Sequence, residues 1–313
     1  MKKSSCEVFA LYFNSSISER EDLDSTSIVN CVFNGFLCYT VIMLNIVTIH
    51  AIRKTSSLPK TLKTLLLSLA VSDVGVGFLV QPFYISLLVK GLQQNIAACN
   101  TYKAFDVMVV LFSTASFCGV VAISVDRSLA IHLHLRYQEL VTHKRVVAVV
   151  ISIWVLSAFW SSMALWVPND IHSLFVSIGT VIGLLVTTLI YIRIYLAVRR
   201  HKNQIQALQV QNAAQTSEMA NFASLIKSAI GTFYVFLVFL VCYLPIFICL
   251  AALATLGPNI TLNRSLLFSC TLVFLNSCLN PVIYCWKMRH IRQKVMNILR
   301  NMSWHRNRAS SLL

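Results

Sequence analysis

Charged residues are scarce in this chain. Asp, Glu, Lys and Arg make up 12% of its 313 residues, whereas an ordinary soluble domain carries about 25%. Hydrophobic residues reach 57%, and the mean hydropathy is +0.72. The composition excludes a soluble globular domain and indicates a chain that lies mainly within a lipid bilayer.

Other features are absent, and each absence excludes a class of protein. The strand alternation of a membrane β-barrel does not occur, so the apolar segments are predicted to be helices. The ten cysteines show no metal-ligand spacing. No hydrolytic triad, phosphate loop or catalytic carboxylate pair stands out, which argues against an enzyme. The apolar run Val8–Phe13 is shorter than the roughly 7–15 residues of a secretory signal, so the first span is expected to direct insertion.

The apolar residues fall in seven long blocks. Each holds roughly 20 residues or more, enough to cross about 30 Å of hydrocarbon as a helix. Only Val167–His172 separates the fourth block from the fifth; a re-entrant hairpin is the alternative there, and the combined length favours two crossings. The predicted spans are Ile28–Ile52, Leu62–Val89, Tyr102–Ile131, Val146–Pro168, Ile171–Val198, Ile226–Leu256 and Ser265–Trp286.

The net charge of +15 is compatible with a nucleic-acid partner, but its distribution argues against one. With the N-terminus outside, most Lys and Arg residues fall in the predicted inner loops and the C-terminal tail, as the positive-inside rule requires. The chain therefore divides into an extracellular tail (1–27), a seven-helix bundle (28–286), an amphipathic stretch (287–300) and a cytoplasmic tail (301–313).

The predicted outer side carries three sites for N-linked sugar and two clear extracellular cysteines. The sequons begin at Asn14, Asn259 and Asn263, and the last two lie close to the membrane. The cysteines are Cys6 and Cys99.

Polar side chains inside the predicted spans are costly unless they find partners or water. They include one carboxylate and several hydroxyl and amide groups: Asp73, Ser116, Asn276, Ser277 and Asn280. Asn276 and Asn280 share a helix face because they are four residues apart. One interpretation is a purely structural hydrogen-bond cluster. The other is a hydrated cation site, since hard cations prefer carboxylate, hydroxyl and amide oxygens.

A second charged group lies at the inner end of the third span, where Asp126 precedes Arg127. An arginine there often only extends toward the lipid headgroups. The adjacent acid instead favours a neutralised ion pair.

Taken together, these motifs resemble rhodopsin-like (class A) G-protein-coupled receptors. They occur in the family's order, each in the expected span: Leu44–Val47, Leu69–Asp73, Asp126–Ser128 with Leu135–Tyr137, Trp154, Tyr191, Phe239 with Cys242–Pro245, and Asn280–Tyr284. The resemblance implies an all-α membrane protein, a seven-transmembrane helix bundle with a short amphipathic eighth helix over 287–300 and its N-terminus outside. It also implies a multi-pass protein of the plasma membrane.

The resemblance further implies what the residues do. An extracellular ligand binds in the outer half of the bundle, and a heterotrimeric G protein is activated at the cytoplasmic face. Arrestin, a receptor kinase and membrane lipids are further expected partners. The polar cluster of Asp73, Ser116, Asn276, Ser277 and Asn280 becomes an allosteric sodium site, with no other cofactor. Activation and coupling fall to Asp126, Arg127, Tyr191, Phe239, Pro245, Pro281 and Tyr284.

The chain departs from the family pattern at several positions. Tyr243 replaces the usual tryptophan two residues before Pro245, and Gly183 replaces the proline of the fifth helix. Leu225 stands where many relatives place an acid that holds the third-helix arginine, so raised basal signalling is expected.

The family's outer disulfide is also missing from the pattern. Tyr102 occupies the usual third-helix cysteine position, and Val167–His172 contains no cysteine. Cys99 is instead proposed to pair with Cys6.

The ligand is left unassigned. The pattern is nearest to the melanocortin, lysophospholipid, cannabinoid and adenosine receptors. Phe274 replaces the lysine that binds retinal in photopigments, and Val109 replaces the aspartate of aminergic receptors. Leu250 replaces the asparagine that binds purine in adenosine receptors. Candidate pocket residues, for which plain helix packing is the alternative, are Gln81, Phe83, Tyr84, Asp106, Val109, Phe112, Tyr243, Phe247, Leu250, Cys270 and Phe274.

Asp106 is the one charged candidate in this pocket. It is either a wetted acid near a helix N-terminus or a counter-ion for a cationic ligand. A non-signalling decoy receptor and a seven-span transporter are the alternative functions.

Overall fold

The computed structural model describes residues 20–56, 58–93, 95, 98–133, 136–208, 216–257, 259–288, 291–298 and 300. Helix is the only regular secondary structure within these ranges, and seven helices are long and apolar enough to span a membrane. The predicted fold is confirmed. The longer helices are α1 (Arg20–Lys54), α2 (Lys60–Leu92), α3 (Cys99–Leu133), α4 (His143–Ser162), α5 (Asn169–Leu208), α6 (Thr216–Leu256), α7 (Ile260–Lys287) and α8 (residues 291–298). A one-turn helix, Tyr137–Leu140, lies between α3 and α4.

The fourth and fifth apolar blocks form two separate helices rather than one re-entrant hairpin. The Thr142 hydroxyl caps the start of α4 by accepting a hydrogen bond from the Arg145 N–H. A short 3₁₀ turn, Met163–Leu165, follows α4, and α5 begins at Asn169, directly after Pro168. A proline at this place is compatible with a helix start because its missing N–H is not needed there.

Several helices extend beyond the predicted spans. α1 begins at Arg20, within the predicted extracellular tail, and α5 continues on the inner side to Leu208. Hydropathy marks only the part of a helix that lies in hydrocarbon, and the helix itself continues into water until a breaker stops it. α8 is shorter than the stretch 287–300, because α7 runs to Lys287 and Met288 has an extended conformation.

α2 contains a local widening at Val76–Val80, where the helix adopts π geometry and the Gln81 N–H bonds to the Val76 carbonyl five residues earlier. Pro82 causes the disturbance because it cannot donate to the carbonyl four residues before it. The Cys38 thiol of α1 donates to the Gly77 carbonyl at 2.9 Å. Polar backbone groups freed in lipid are thus partly satisfied by a neighbouring helix.

α3 lies at the centre of the bundle. It packs against α2, α4, α5 and α6, while α7 packs against α1 and α6. The Trp154 indole of α4 donates to the Ser68 hydroxyl of α2 at 3.1 Å. α4 and α5 present most of their apolar side chains outward, as expected of helices that face lipid. The buried side chains form an inner-half core and an outer-half cluster.

Candidate functional site

The carboxylate of Asp73 lies in the middle of the bundle and is fully buried. One of its oxygens, Oδ2, accepts a hydrogen bond from the Asn280 amide of α7 at 2.9 Å, and the Ser277 hydroxyl faces the same group. Its other oxygen, Oδ1, accepts no hydrogen bond from the residues that the structure describes. A buried, half-satisfied carboxyl group is stabilised by a further partner such as water or a cation, or by being protonated.

The remaining predicted members of this cluster are buried on two other helices, α3 and α7. The Ser116 hydroxyl of α3 lies 2.9 Å from the hydroxyl of Ser72, the residue before Asp73. Asn276 is buried one turn before Asn280 on α7, and its Oδ1 is unpaired among the described residues, as is the Oδ1 of Asn280. Five predicted residues are thus buried on three helices, and their unpaired oxygens are of the type that binds sodium.

One member of the cluster was not included in the predicted site. The Asn45 amide of α1 donates to the Ser277 carbonyl at 2.9 Å, and its Oδ1 is left without a described partner. Its position in the middle of the first span was the available signal. Asn45 joins α1 to α7 and adds another unpaired oxygen.

The ion pair at the inner end of α3 is formed as predicted. The buried Arg127 guanidinium donates to Asp126 Oδ2 through Nε and Nη2. The Tyr137 hydroxyl donates to the other oxygen, Oδ1, at 2.7 Å, and lies 3.0 Å from the Thr61 hydroxyl of α2. Burial raises the pKa of Tyr137 to about 12, so the phenol remains a donor at neutral pH. Both carboxylate oxygens are therefore occupied.

Among the side chains of α6 that the structure describes (225–256, except 254), no acid joins this ion pair. Leu225 occupies that position and packs against the apolar core of the inner half. Within the described part of the chain, Asp126 is the one acidic partner of Arg127. The arginine is therefore held by its own helix and, through Asp126, by Tyr137.

Tyr191 and Tyr284, predicted to assist activation, both lie buried in the inner-half core. The Tyr191 hydroxyl accepts a hydrogen bond from Ser124 at 2.9 Å, and its ring packs on Phe236 of α6 at 5.3 Å between centroids. The Tyr284 hydroxyl has no hydrogen-bond partner among the described residues. Neither phenol bonds to Arg127 in this arrangement.

Three stacked aromatic rings join α3 to α6. Tyr243 stacks on Phe239 with centroids 4.0 Å apart, and Phe239 stacks on Phe117 at 5.1 Å. Gly183 of α5 makes room for this stack, because a Cβ there would overlap the Phe117 ring. The glycine in place of the usual proline is thus matched by the bulky Phe117, a partner that the sequence did not reveal.

These motifs lie in the order and on the helices that a known receptor family requires. The model of the family "7 transmembrane receptor (rhodopsin family)" matches residues 44–173 and 166–284, from the first helix to Tyr284. The chain belongs to this family.

The receptor is also similar to several characterised members. Human melanocortin receptor 5 is 26% identical over 274 residues, covering 84% of this chain and 82% of the relative. Adenosine receptor A2b of Gallus gallus is 25% identical over 295 residues, covering 82% of this chain and 83% of the relative. Adenosine receptor A2a of Canis lupus familiaris is 26% identical over 296 residues, covering 83% of this chain and 69% of the relative. The predicted nearness to melanocortin and adenosine receptors is confirmed.

Family membership establishes the general function. The chain is a multi-pass plasma-membrane receptor that couples an extracellular ligand to a G protein. The decoy alternative is not favoured.

A substitution at Gly183 tests the fit of the receptor's aromatic stack. Gly183→Ala is expected to push the Phe117 ring and destabilise the receptor by about 1–3 kcal/mol, the usual effect of overpacking. The measurement is the thermal midpoint of purified receptor. Gly179→Ala, on the same helix with open space around it, is the control. An equal fall of the thermal midpoint in both variants would contradict the packing argument. So would a failure of Phe117→Leu to restore the thermal midpoint of Gly183→Ala.

The candidate pocket residues of the receptor divide into two groups. Tyr84 of α2 contacts Phe274 edge-on at 5.2 Å, and Phe112, Val109 and Cys270 belong to the same outer-half cluster. Tyr84, Phe112 and Phe274 are buried, as is Gln81. Burial supports the packing interpretation for the three aromatic residues, whereas the Gln81 amide finds no hydrogen-bond partner among the described residues for either Nε2 or Oε1.

Other candidates are placed elsewhere. Tyr243 packs with the inner-half core, and Leu250 is 42% exposed on α6, so neither joins the Tyr84 cluster. Phe247 is half-buried, as is Phe83. Phe105, which the prediction missed, stacks with both Phe83 and Tyr84 at 6.1 and 6.0 Å. Its signal was the spacing of four residues before Val109, which places both on one helix face.

Asp106 is half-buried in the outer half of the receptor, within electrostatic reach of His172. His172 is buried at the start of α5, and its Nε2 donates to the Trp160 carbonyl of α4 at 3.3 Å. His172 was not predicted as a site residue, although it is the one histidine of Val167–His172, the segment that separates the fourth apolar block from the fifth.

The predicted extracellular features are only partly visible. Cys99 is disulfide-bonded, and the eight other described cysteines are free thiols; the predicted partner Cys6 lies outside the described residues, as does Asn14. The Asn259 side chain caps α7 by accepting from the Leu262 N–H at 2.9 Å. Asn263 is 5% exposed, so a sugar there would have to displace neighbouring side chains.

Proposed function

We propose that this receptor activates its G protein to a measurable extent without ligand, and that ligand binding in the outer half raises that activity. One observation carries the proposal. The buried Arg127 is paired with Asp126 of its own helix, while α6 presents Leu225 instead of an acid. A cross-helix ion pair would have to break before α6 moves, and its absence lowers the free energy of the active arrangement relative to the resting one.

The aromatic stack is the proposed route from the ligand to the inner face. Tyr243 lies two residues before Pro245, where α6 lacks a backbone hydrogen bond and bends most easily. A ligand in the outer half that moves Tyr243 through the neighbouring turns of α6 also moves Phe239, because the two rings are stacked with centroids 4.0 Å apart. α6 then turns about Pro245, and the space beside Arg127 opens for the G protein.

Sodium is the proposed allosteric ion of the middle of the bundle. Asp73 supplies the charge, and the hydroxyl and amide oxygens of Ser116, Asn276, Ser277 and Asn280 complete the donor set. The unpaired buried oxygens support this assignment. A bound cation would offset the buried negative charge and favour the compact arrangement of α2, α3 and α7 around it.

The ligand proposed for the outer half carries a positive group that approaches Asp106. Asp106→Asn is expected to lower the potency of such a ligand about 10- to 100-fold, corresponding to roughly 1.5–3 kcal/mol for a charged hydrogen bond. The measurement is the concentration of a cationic agonist for half-maximal G-protein activation. Asp106→Glu keeps the charge and is expected to retain most of the potency. An unchanged value for Asp106→Asn would contradict the assignment.

Partners beyond the G protein are proposals as well. The tail 301–313 lies outside the described residues and contains Ser303, Ser310 and Ser311, which a receptor kinase could phosphorylate for arrestin binding. α8 exposes Arg292 and Lys294 while Ile291 is fully buried. Such a helix fits the surface of an anionic inner leaflet.

The experiment that tests the proposed function is nucleotide exchange on a panel of G proteins with purified receptor in lipid nanodiscs and no ligand. Exchange above that of empty nanodiscs, rising with receptor concentration, is expected. Arg127→Ala is the control, since it removes the group that meets the G protein. Exchange equal to that control for every G protein, with and without a panel of cationic ligands, would instead favour a decoy receptor.

A further inference from the structure

We propose that Lys287 holds the inner half of α6 against α7 through a cation–π cluster, and that this cluster serves as the resting latch in place of the missing acid at Leu225. The cluster consists of Tyr234, Trp286 and Lys287 and is named the cation–π latch below. The proposal rests on the proposed function in that α6 is taken to move when the G protein is activated.

The geometry of the cation–π latch is tight. The Lys287 Nζ lies 4.0 Å from the centre of the Tyr234 ring and 3.5 Å from that of Trp286. The two rings themselves are 5.3 Å apart and inclined by 57°. Both distances from the ammonium to a ring are within the range in which a ring face attracts a cation. One ammonium group is therefore shared by a ring of α6 and a ring of α7.

The backbones of the two helices also approach each other closely at this level. Gly231 lies three residues before Tyr234 on α6, and a Cβ added there would be 3.3 Å from Lys287 Cβ and 3.7 Å from Met288 Cε. The absence of a side chain lets α6 come close enough for Tyr234 to cover the ammonium. The small residue and the aromatic residue occupy one face of α6.

The charge of Lys287 finds no acid in the described part of the chain. Lys287 is the last residue of α7, where the helix dipole favours a cation. Lys287 itself is half-buried, although the neighbouring Trp286 is 61% exposed. In such surroundings a cation–π contact is stronger than at a fully hydrated surface. The rings are therefore the principal partners that the structure offers to this lysine.

Outward movement of α6 would break only one half of the latch. Trp286 and Lys287 are neighbours on α7 and stay together, whereas Tyr234 moves with α6. The free-energy difference between the two arrangements therefore depends on the Tyr234–Lys287 contact. This contact is weaker than a buried ion pair. A weak contact agrees with a receptor whose ligand-free activity is lowered but not abolished.

Four single variants and one double variant test the latch. Lys287→Gln and Tyr234→Leu are expected to raise ligand-free nucleotide exchange roughly three- to ten-fold, the range that one cation–π contact supports. Lys287→Arg keeps the cation and Tyr234→Phe keeps the ring, so both are expected to match the unmodified receptor. The double variant Lys287→Gln/Tyr234→Leu is expected to equal either single variant, because each already removes the same contact. Lys54→Gln, at an exposed lysine that ends α1 as Lys287 ends α7, is the matched control.

A second readout does not depend on G-protein coupling. The distance between probes placed by non-cysteine labelling at exposed Lys227 on α6 and exposed Lys144 on α4 reports the position of α6. The latch predicts a larger population of the long distance in Lys287→Gln and Tyr234→Leu, even without a G protein. If no variant exchanges nucleotide but these two still show the shift, the proposed basal function fails and the latch stands.

Three results would overturn the latch. The first is an equal effect of Lys287→Gln and Lys287→Arg, and the second is a double variant whose effect is the product of the single effects. The third is an effect of Lys287→Gln that appears in nanodiscs with anionic lipid and vanishes in phosphatidylcholine alone. That result would assign the lysine to a lipid headgroup instead of the Tyr234 ring.

Discussion

Replacing Asp73 with asparagine is expected to abolish the effect of sodium on ligand-free nucleotide exchange. In the unmodified receptor, sodium should lower the exchange several-fold relative to a bulky organic cation, because the ion favours the compact bundle. Asparagine supplies one neutral oxygen in place of a carboxylate, so the site loses the charge that repays the dehydration of the ion. A loss of roughly 1.5–3 kcal/mol in sodium binding corresponds to about ten-fold or more in affinity.

The measurement is nucleotide exchange with sodium chloride against N-methylglucamine chloride at equal ionic strength, so that general screening is the same in both. Asp24→Asn makes the same chemical change near the outer end of α1, and it is expected to retain the sodium effect. A sodium effect that survives in Asp73→Asn would leave only the structural hydrogen-bond interpretation of the cluster. The contact between Asp73 and Asn280 would then serve packing alone.

An acid introduced at position 225 is expected to lower the ligand-free activity of the receptor. Leu225→Glu places a carboxylate on α6 at the position from which relatives hold the third-helix arginine. Position 225 is half-buried and Arg127 already has Asp126 as a partner, so a second carboxylate there is expected to contribute about 1 kcal/mol. Ligand-free nucleotide exchange should therefore fall roughly five-fold, with little change in the maximal response to an agonist.

Two controls separate the charge from other effects of the substitution. Leu225→Gln introduces a side chain of the same size as glutamate but without its charge, so it is expected to leave the basal activity close to its original value. Lys227→Glu places an acid on the exposed side of α6, where Arg127 lies out of reach. The absence of the cross-helix lock would not explain basal activity if Leu225→Glu and Leu225→Gln behaved alike.

The two predictions and the cation–π latch concern one equilibrium. Sodium at Asp73 would restrain the middle of the bundle, and Tyr234 with Lys287 would restrain the inner end of α6 and α7. Leu225 removes the restraint that would otherwise join α3 to α6. Effects on such an equilibrium add in free energy when the contacts are separate. In sodium, the fold-increases in ligand-free exchange caused by Asp73→Asn and Lys287→Gln are therefore expected to multiply in the double variant. The fold-increases caused by Lys287→Gln and Tyr234→Leu are not expected to multiply.

The amino-acid sequence by itself determined the seven spans, the orientation and the positions of the motifs. Long apolar blocks are set by the thickness of the bilayer, and the distribution of Lys and Arg sets the direction of crossing. Buried polar residues such as Asp73 and Asn280 were also recognisable, because a polar group inside a span has few alternatives to a partner. Each of these signals is local or depends only on the side of the membrane.

Only the tertiary structure decided which side chains meet. Phe117 against Gly183, Tyr137 on Asp126 and Lys287 over Tyr234 each join residues from different parts of the chain. In a membrane the lipid-facing and the buried sides of a helix are both apolar, so hydrophobicity does not reveal how each helix is rotated. The rotation is set by small residues, bulges and ring contacts between neighbours. For that reason the positions of the motifs were predictable, whereas the contacts of Phe105, the Gly183–Phe117 fit and the cation–π latch were not.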